Sequence, residues 1–307
     1  MRGCCHSPDG GSQAEATVSA LPLHFPPAMR PRHLFGVRTP DRVAFAFCLL
    51  FAPGLAAAQI GEATPSAEPL LRGRDVAWLG AGTALSIAVM QFDSRIAREL
   101  QRQRDNPTLQ EVADVFSLIN EKSLAAAGVL TYAGARMAKA RATTDIALHT
   151  TEAIVASSTT STLIRGILGR SRPFVTSRRD AFDYHYGEGF RELRYRAFPS
   201  IHSSAAFSTA AAVSEEMRVR RTRGRKVLAP LFYTVAAGPG LARMYSDKHW
   251  ASDVVMGAAL GTLAGLRSVR YAHGHPANRL DRIFLGVTRI SLGRGGSSLG
   301  VSLPFAR

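Results

Sequence analysis

Apolar and small residues form long runs along the chain from Asp75 onwards, and short polar stretches separate these runs. The first two runs read DVAWLGAGTALSIAVMQFD and NPTLQEVADVFSLINEKSLAAAGVLTYAGARMAKA, with the basic amphipathic stretch SRIARELQRQ between them. The Asn106-Pro107 pair is a typical helix start, so the second run predicts one or two helices. Short strands do not alternate with these helical runs, which indicates an all-α domain.

Three later runs extend the same pattern. TDIALHTTEAIVASSTTSTLIRGILGRSRP predicts a long helix that Pro173 ends, since proline cannot continue a helix. PSIHSSAAFSTAAAVSEEMRV predicts a helix with Pro199 and Ser200 at its N-terminus. VLAPLFYTVAAGPGLARMY and HWASDVVMGAALGTLAGLRSV predict two helices rich in Ala and Gly. We therefore expect a bundle of about six core helices over residues 74–272, with an irregular loop between Pro173 and Phe198.

The two ends of the chain differ from this helical region. Residues 1–58 predict a leader and a signal peptide: basic residues from Met29, the apolar VAFAFCLLFAPGL, and small residues at a cleavage site after about Ala58. Met29 is a candidate for the true start, and a short membrane anchor is the alternative to a signal peptide. Residues 59–73 predict a linker. The tail over residues 273–307 carries RIFLGVTRISL and SSLGVSLPF around a glycine turn, which predicts a β-hairpin.

Charge and cysteine content narrow the class of protein. The formal net charge of +15 favours anionic partners, namely phosphorylated substrates or an anionic membrane surface. We find no nucleic-acid-binding motif and expect no nucleic-acid partner. All three cysteines, Cys4, Cys5 and Cys48, precede the helical region, so that region has no disulfide framework, thiolate metal site or cysteine nucleophile.

The apolar runs are short for a membrane protein. Those at residues 76–92, 227–242 and 254–266 all fall below the roughly 20 residues that a comfortable span needs. With the signal peptide, this predicts an exported protein that is periplasmic, or membrane-associated and facing the periplasm. The sequence does not indicate an oligomeric state.

Three polar clusters interrupt the predicted helices: RGILGRSRP, FPSIHSS and ARMYSDKHWASD. The charged and polar residues that they carry are Arg165, Arg172, Ser200, His202, Arg243, His249 and Asp253. His249 and Asp253 are four residues apart, so they lie on one face of a helix. Arginine rarely enters a core without an anionic partner, and three guanidinium groups suit the oxygens of a tetrahedral oxyanion.

Together the clusters resemble the three-part signature of the type 2 phosphatidic acid phosphatase/vanadium haloperoxidase superfamily. That signature runs Lys-x6-Arg-Pro, then Pro-Ser-Gly-His, then Ser-Arg-x5-His-x3-Asp. The matching residues here are Arg165-x6-Arg172-Pro173, Pro199-Ser200-Ile201-His202 and Ala242-Arg243-x5-His249-x3-Asp253. The order and the inner spacings agree, and the signature spans residues 165–253. The resemblance implies a helical-bundle fold and a phosphatase.

Three positions depart from the signature. Arg165 replaces lysine and keeps the positive charge, while Ala242 replaces serine and loses a hydroxyl. Ile201 replaces glycine, which matters more: a positive φ at this position would strain isoleucine. In the alternative that we favour, Ile201 starts a helix with ordinary φ and its backbone N–H still faces the phosphate.

The resemblance also implies residue roles. His249 is the nucleophile that forms a phosphohistidine, Asp253 orients it, and His202 protonates the leaving group and then activates water. The groups that the resemblance assigns to binding the phosphate oxygens are Arg165, Arg172, Ser200, Ile201 and Arg243. These arginines supply the positive charge that a metal would otherwise provide, so no metal and no cofactor is expected.

Other readings of the same residues stay open. A haloperoxidase would hold vanadate at His249, and a metal hydrolase would use His202, His249 and Asp253 as ligands, although three arginines would repel the cation. A non-catalytic, exported anion-binding protein is the alternative from outside the enzymes, with Ile201 as its support. For the enzyme, we expect the substrate to be a phosphate ester, in particular a lipid phosphate or pyrophosphate. The sequence does not indicate which of these it is.

Overall fold

The computed structural model describes residues 71–176 and 179–275, and in this part of the chain the fold is all-helical. It consists of eight α-helices and two short 3₁₀ turns, with no β-strand among the described residues. The α-helices are α1 (Gly73–Met90), α2 (Asp93–Arg102), α3 (Pro107–Ser117), α4 (Glu121–Met137), α5 (Arg141–Leu168), α6 (Ile201–Val219), α7 (Arg225–Tyr245) and α8 (Ala251–Gly274). The 3₁₀ turns, Glu188–Phe190 and Leu193–Tyr195, lie in the loop between α5 and α6.

The all-α prediction is confirmed, but the expected number of about six helices is too low. The run from Asn106 splits into two helices because two asparagines cap successive N-termini. The Asn106 side chain accepts the N–H groups of Thr108 and Leu109, and the Asn120 side chain accepts those of Lys122 and Ser123. The predicted C-terminal hairpin lies outside the described residues.

The long helix α5 also ends earlier than predicted. Gly169, not Pro173, terminates it with a left-handed conformation, φ +60°. A Cβ at this position would lie 1.7 Å from the carbonyl oxygen of His185. Gly169 therefore both ends the helix and lets the following loop cross close to it, which brings Arg170 and Arg172 back towards the helix ends.

Helix α6 lies at the centre and packs against α4, α5, α7 and α8. Its contact with α8 is backbone to backbone, because three glycines recur every fourth residue on the facing side of α8. A Cβ at Gly257, Gly261 or Gly265 would lie 2.1–2.5 Å from the carbonyl oxygens of the α6 residues opposite, which are Ser200, Ser204 and Ser208. This close contact fixes the start of α6 against the start of α8.

Several helices present large apolar side chains to the outside. These exposed residues include Val76, Trp78, Leu85, Ile87, Val112, Val115, Val129, Leu130, Val227, Leu231 and Leu241. They are spread over α1, α3, α4 and α7. Surfaces of this kind mark contact with another apolar partner or phase.

Among the helices of residues 71–176 and 179–275, none alone has both the length and the apolar character of a membrane span. Helices α1 and α2 meet the requirement of length and composition only as a pair, bent by 61° at the break between them.

Candidate active site

His249 lies in the short connection between α7 and α8, and its side chain is fully buried. Its Nδ1 is 3.4 Å from Oδ2 of Asp253, which stands in the first turn of α8. Its Nε2 is buried and has no hydrogen-bond partner among the described residues. The ring therefore has one nitrogen beside a carboxylate, while the other accepts or donates no hydrogen bond among the described residues.

The Asp253 carboxylate is held from two sides. Oδ2 accepts the backbone N–H of Trp250 at 2.7 Å, and Oδ1 accepts the Arg170 guanidinium at 2.5 Å. Burial raises the pKa of this carboxyl, while Arg170 and the Trp250 hydrogen bond act in the opposite direction. Arg170 is thus the main charge that opposes the effect of burial on the pKa of Asp253.

Arg170 is itself completely buried and completely bonded. Besides Asp253 it donates to Asp93 Oδ2 at 2.8 Å, to Ser252 Oγ at 2.8 Å and to the carbonyl oxygen of Ala181 from two nitrogens. Asp93 also accepts the Ser252 hydroxyl and the Ser252 backbone N–H. Rings of Tyr184, Phe198 and Trp250 surround the guanidinium at 5.5–5.9 Å. This network ties α2, the α5–α6 loop and the start of α8 to the carboxylate.

His202 stands in the first turn of α6, with its ring centroid 6.3 Å from that of His249. Its Nδ1 is buried without a hydrogen-bond partner in the part of the chain that the structure describes, and its Nε2 is 4.0 Å from Oε2 of Glu121. Burial, and then the positive charge of Arg243, lowers the pKa of His202 to about 2. Burial and the charges of Arg172 and Arg243 likewise lower the pKa of His249 well below its usual range. In both imidazoles, burial and the neighbouring arginine charges thus favour the neutral form.

Three arginines converge on these histidines from different elements. Arg165 comes from the last turn of α5, Arg172 from the loop after it and Arg243 from the last turn of α7. The Nε atom of each is buried and has no hydrogen-bond partner among the described residues. Burial and mutual repulsion lower the pKa of Arg165 and of Arg243 to about 10. Three partly desolvated cations with open donors form a site for an anion.

The N-terminus of α6 adds backbone donors on the same side. Ser200 is the fully buried N-cap of the helix, and its hydroxyl oxygen accepts the backbone N–H of Ser203. The backbone N–H of Ser200 donates to the Asp253 carbonyl oxygen at 2.9 Å. Ile201 is the first helical residue and has no positive φ. Ile201 therefore starts the helix with an ordinary φ, without the strain that a positive φ would cause.

Sequence reasoning missed three residues around this site: Asp93, Glu121 and Arg170. Glu121 is the first residue of α4, and its charge acts on Arg165 and Arg243. Arg196 lies close enough to raise the positive potential at Arg165 and Arg172, while its own guanidinium donates to the carbonyl oxygens of Gly189 and Phe190. Arg170 alone had a signal in the sequence, as a third arginine between the two in RGILGRSRP.

Comparison with known proteins agrees with this geometry. Residues 146–276 match the family model of the PAP2 superfamily, the type 2 phosphatidic acid phosphatases. The chain is also 37% identical, over 73 residues, to the lipid A 1-phosphatase of Porphyromonas gingivalis. That alignment covers 22% of this chain and 15% of the relative. No solved structure matches the chain. The chain therefore contains a PAP2 superfamily domain, which confirms the family resemblance of its three motifs.

Proposed function

We propose that this chain is a metal-independent phosphomonoesterase that acts through a phosphohistidine at His249. The observation that carries the proposal is the buried Nε2 of His249, which has no hydrogen-bond partner among the described residues, with three arginines around it whose Nε atoms are also without partners there. A neutral imidazole with a free lone pair is a nucleophile. The arginines supply fixed positive charge for the phosphoryl oxygens, which is the main requirement of phosphoryl transfer.

In the first step, Nε2 of His249 attacks phosphorus opposite the ester oxygen. An N–P bond forms as the P–O bond breaks, and His202 donates a proton to the departing alkoxide. The N–H at Nδ1 faces Asp253, whose negative charge stabilises the positive imidazole ring that results. Arg165, Arg172 and Arg243 bind the equatorial oxygens.

In the second step, His202, now neutral, removes a proton from water as the water attacks phosphorus. The N–P bond breaks, inorganic phosphate leaves and neutral His249 is restored. The low pKa of His202 follows from burial and from arginine charges. A bound phosphate dianion offsets those charges, so substrate binding itself raises the pKa of His202 and prepares it to act as the acid.

An apolar groove beside His202 supports a lipid as the substrate. Helices α4, α6 and α7 form it, and Ala206 and Ala210 continue the α6 face that begins with His202. Its lining residues are Ile119, Leu124, Ala206, Thr209, Ala210, Val213, Leu231, Phe232, Val235 and Ala236. A groove of this composition, open next to a phosphate site, suits a hydrocarbon chain.

The exposed apolar side chains of α1, α3, α4 and α7 support a place at a membrane surface, where a lipid phosphate is available. The relative that is named a lipid A 1-phosphatase is consistent with a phosphorylated lipid. We therefore propose a lipid phosphate as the substrate, with the enzyme exported and acting at the membrane face.

The function is tested with the full chain and two substrates, p-nitrophenyl phosphate and phosphatidic acid in mixed micelles. We expect phosphate release from both, at a rate that EDTA does not change and that His249→Ala abolishes. A higher kcat/KM for phosphatidic acid would support the lipid assignment. Loss of activity in EDTA with the protein still folded would overturn the metal-independent mechanism, and equal activity of His249→Ala would overturn the nucleophile.

A further inference from the structure

A second cluster of ionisable side chains lies away from the phosphate site. His149 Nδ1 is 2.5 Å from Oε1 of Glu216, and His273 Nε2 is 3.0 Å from the same oxygen. His149 and Glu216 are buried, and the His273 side chain is 27% exposed. One candidate ligand atom from each residue lies within 4.8 Å of the other two.

The three residues lie far along the same helices from the phosphate site, with His149 in the third turn of α5, whose last turn carries Arg165. Glu216 and His273 stand in the last turns of α6 and α8, whereas His202 and Asp253 stand in the first turns of the same helices. At 1.5 Å per residue the two sites are roughly 20–30 Å apart. The cluster therefore takes no part in the proposed phosphoryl transfer.

The ligand set fits a divalent transition metal. Two imidazole nitrogens and one carboxylate oxygen are a common zinc set, completed by water as the fourth ligand. The rings of His149 and His273 are at 71° to each other with centroids 5.5 Å apart, so they meet the shared carboxylate from two directions. The candidate ligand atoms are separated by distances from 2.5 Å up to at most 4.8 Å. Small rotations of the three side chains would let all of these atoms contact one ion.

The surrounding charges hold the carboxylate in place for this role. Arg220 donates to the other oxygen, Glu216 Oε2, at 2.8 Å, and its guanidinium also reaches Asp145 at 3.2 Å. Glu216 Oε1 is therefore left to face the two imidazoles, while Asp145 offsets the charge of Arg220. Such outer partners orient metal ligands in known sites.

From this geometry we propose that His149, Glu216 and His273 bind one zinc-type divalent cation, which joins the third turn of α5 to the last turns of α6 and α8. The ion is remote from the phosphate site and joins three helices, so we expect it to stabilise the fold. The zinc proposal does not depend on the proposed phosphatase function, so an experiment can contradict either one and leave the other standing.

The test is zinc binding by the full chain. The purified protein is dialysed against chelator, then against buffer, and titrated with ZnSO₄; metal content is measured by mass spectrometry. Parallel samples with Co²⁺ are examined for the visible absorption of a four-coordinate site. The variants are His273→Ala and Glu216→Gln, with His275→Ala, at the C-cap of α8, as the matched control and His249→Ala as the control at the phosphate site.

We expect one zinc per chain in the wild type, His275→Ala and His249→Ala, and loss of that equivalent in His273→Ala and Glu216→Gln. Zinc should raise the melting temperature of the wild type but not that of His273→Ala. His273 is partly exposed, so of the two variants His273→Ala is the better able to fold. A folded wild type that binds no zinc would overturn the proposal. So would full zinc binding by His273→Ala, or loss of zinc in His249→Ala.

Discussion

Replacement of Arg170 by methionine probes the buried charge network behind His249. Arg170 and its two carboxylate partners, Asp93 and Asp253, have no exposed side-chain surface. Methionine fills a similar volume but leaves both carboxylates without their cation. Removing one partner of a buried ion pair costs about 3–5 kcal/mol. For a domain of this size that corresponds to a fall of roughly 6–20 °C in melting temperature.

The same substitution should change the pH dependence of the reaction in a way that lost stability alone would not. Arg170 lowers the pKa of Asp253 against the effect of burial. Without it, Asp253 is protonated over a wider range and no longer accepts the Nδ1 hydrogen bond of His249. The acidic limb of the kcat profile should then move to higher pH, with kcat falling more than KM changes.

The assays are thermal unfolding by circular dichroism and steady-state hydrolysis of p-nitrophenyl phosphate between pH 4 and 9. Arg170→Lys is the matched variant: it keeps a positive charge but cannot contact both carboxylates at once. It should recover part of the stability and part of the pH profile. A melting temperature and a pH profile of Arg170→Met equal to those of the wild type would refute the reasoning.

Three further predictions concern other parts of the molecule. Gly261→Ala should lower the free energy of unfolding by about 1–3 kcal/mol in urea titrations, because its Cβ would lie 2.1 Å from the Ser204 carbonyl oxygen of α6; an unchanged midpoint would contradict the close contact. Val235→Trp, at a groove-lining residue that is 37% exposed, should raise KM for phosphatidic acid several-fold and leave KM for p-nitrophenyl phosphate unchanged; equal effects on both would exclude the groove from lipid binding. His202 has a pKa lowered from 6.5 to about 2 in the folded chain, so the unfolded chain binds the extra proton and stability is lost as the pH falls below 6.5. His202→Asn should therefore reduce the slope of unfolding free energy against pH between 6.5 and 5 by up to about 1.4 kcal/mol per pH unit, and an unchanged slope would mean that the imidazole is not held neutral.

The helices that the sequence predicted well are those whose ends are set by local chemistry. The start of α6 could be read from Pro199 and Ser200, because an N-cap acts on residues next to it. The asparagine caps that split the run from Asn106 are also local signals. The Asn106-Pro107 pair predicts a helix start, whereas Asn120 lies inside a run that predicts one or two helices. The end of α5 was misplaced because Pro173 is the stronger helix breaker in sequence, while Gly169 is the residue that takes the left-handed conformation.

The residues of the site also fall into two groups: those that local spacing in the sequence predicts and those that only the fold brings together. His249 and Asp253 were predictable as a pair because they are four residues apart, and the arginines because they stand at fixed positions in the motifs. The network behind them was not, since Arg170 meets Asp93 across 77 residues and Asp253 across 83. Only the packing of α2 and α8 against the loop after α5 shows that Arg170 contacts the Asp253 carboxylate, whereas the Nε atoms of Arg165 and Arg172 have no hydrogen-bond partner among the described residues.

The central claim is that the phosphoryl group passes through Nε2 of His249. Its most direct test is rapid acid-free quenching of the full chain with ³²P-labelled phosphatidic acid, followed by peptide mapping. We expect label on the peptide that contains His249, stable in base and released by acid as a phosphohistidine is, and absent from a folded His249→Ala protein. Turnover without any labelled peptide, or label on the peptide that contains His202, would contradict the account.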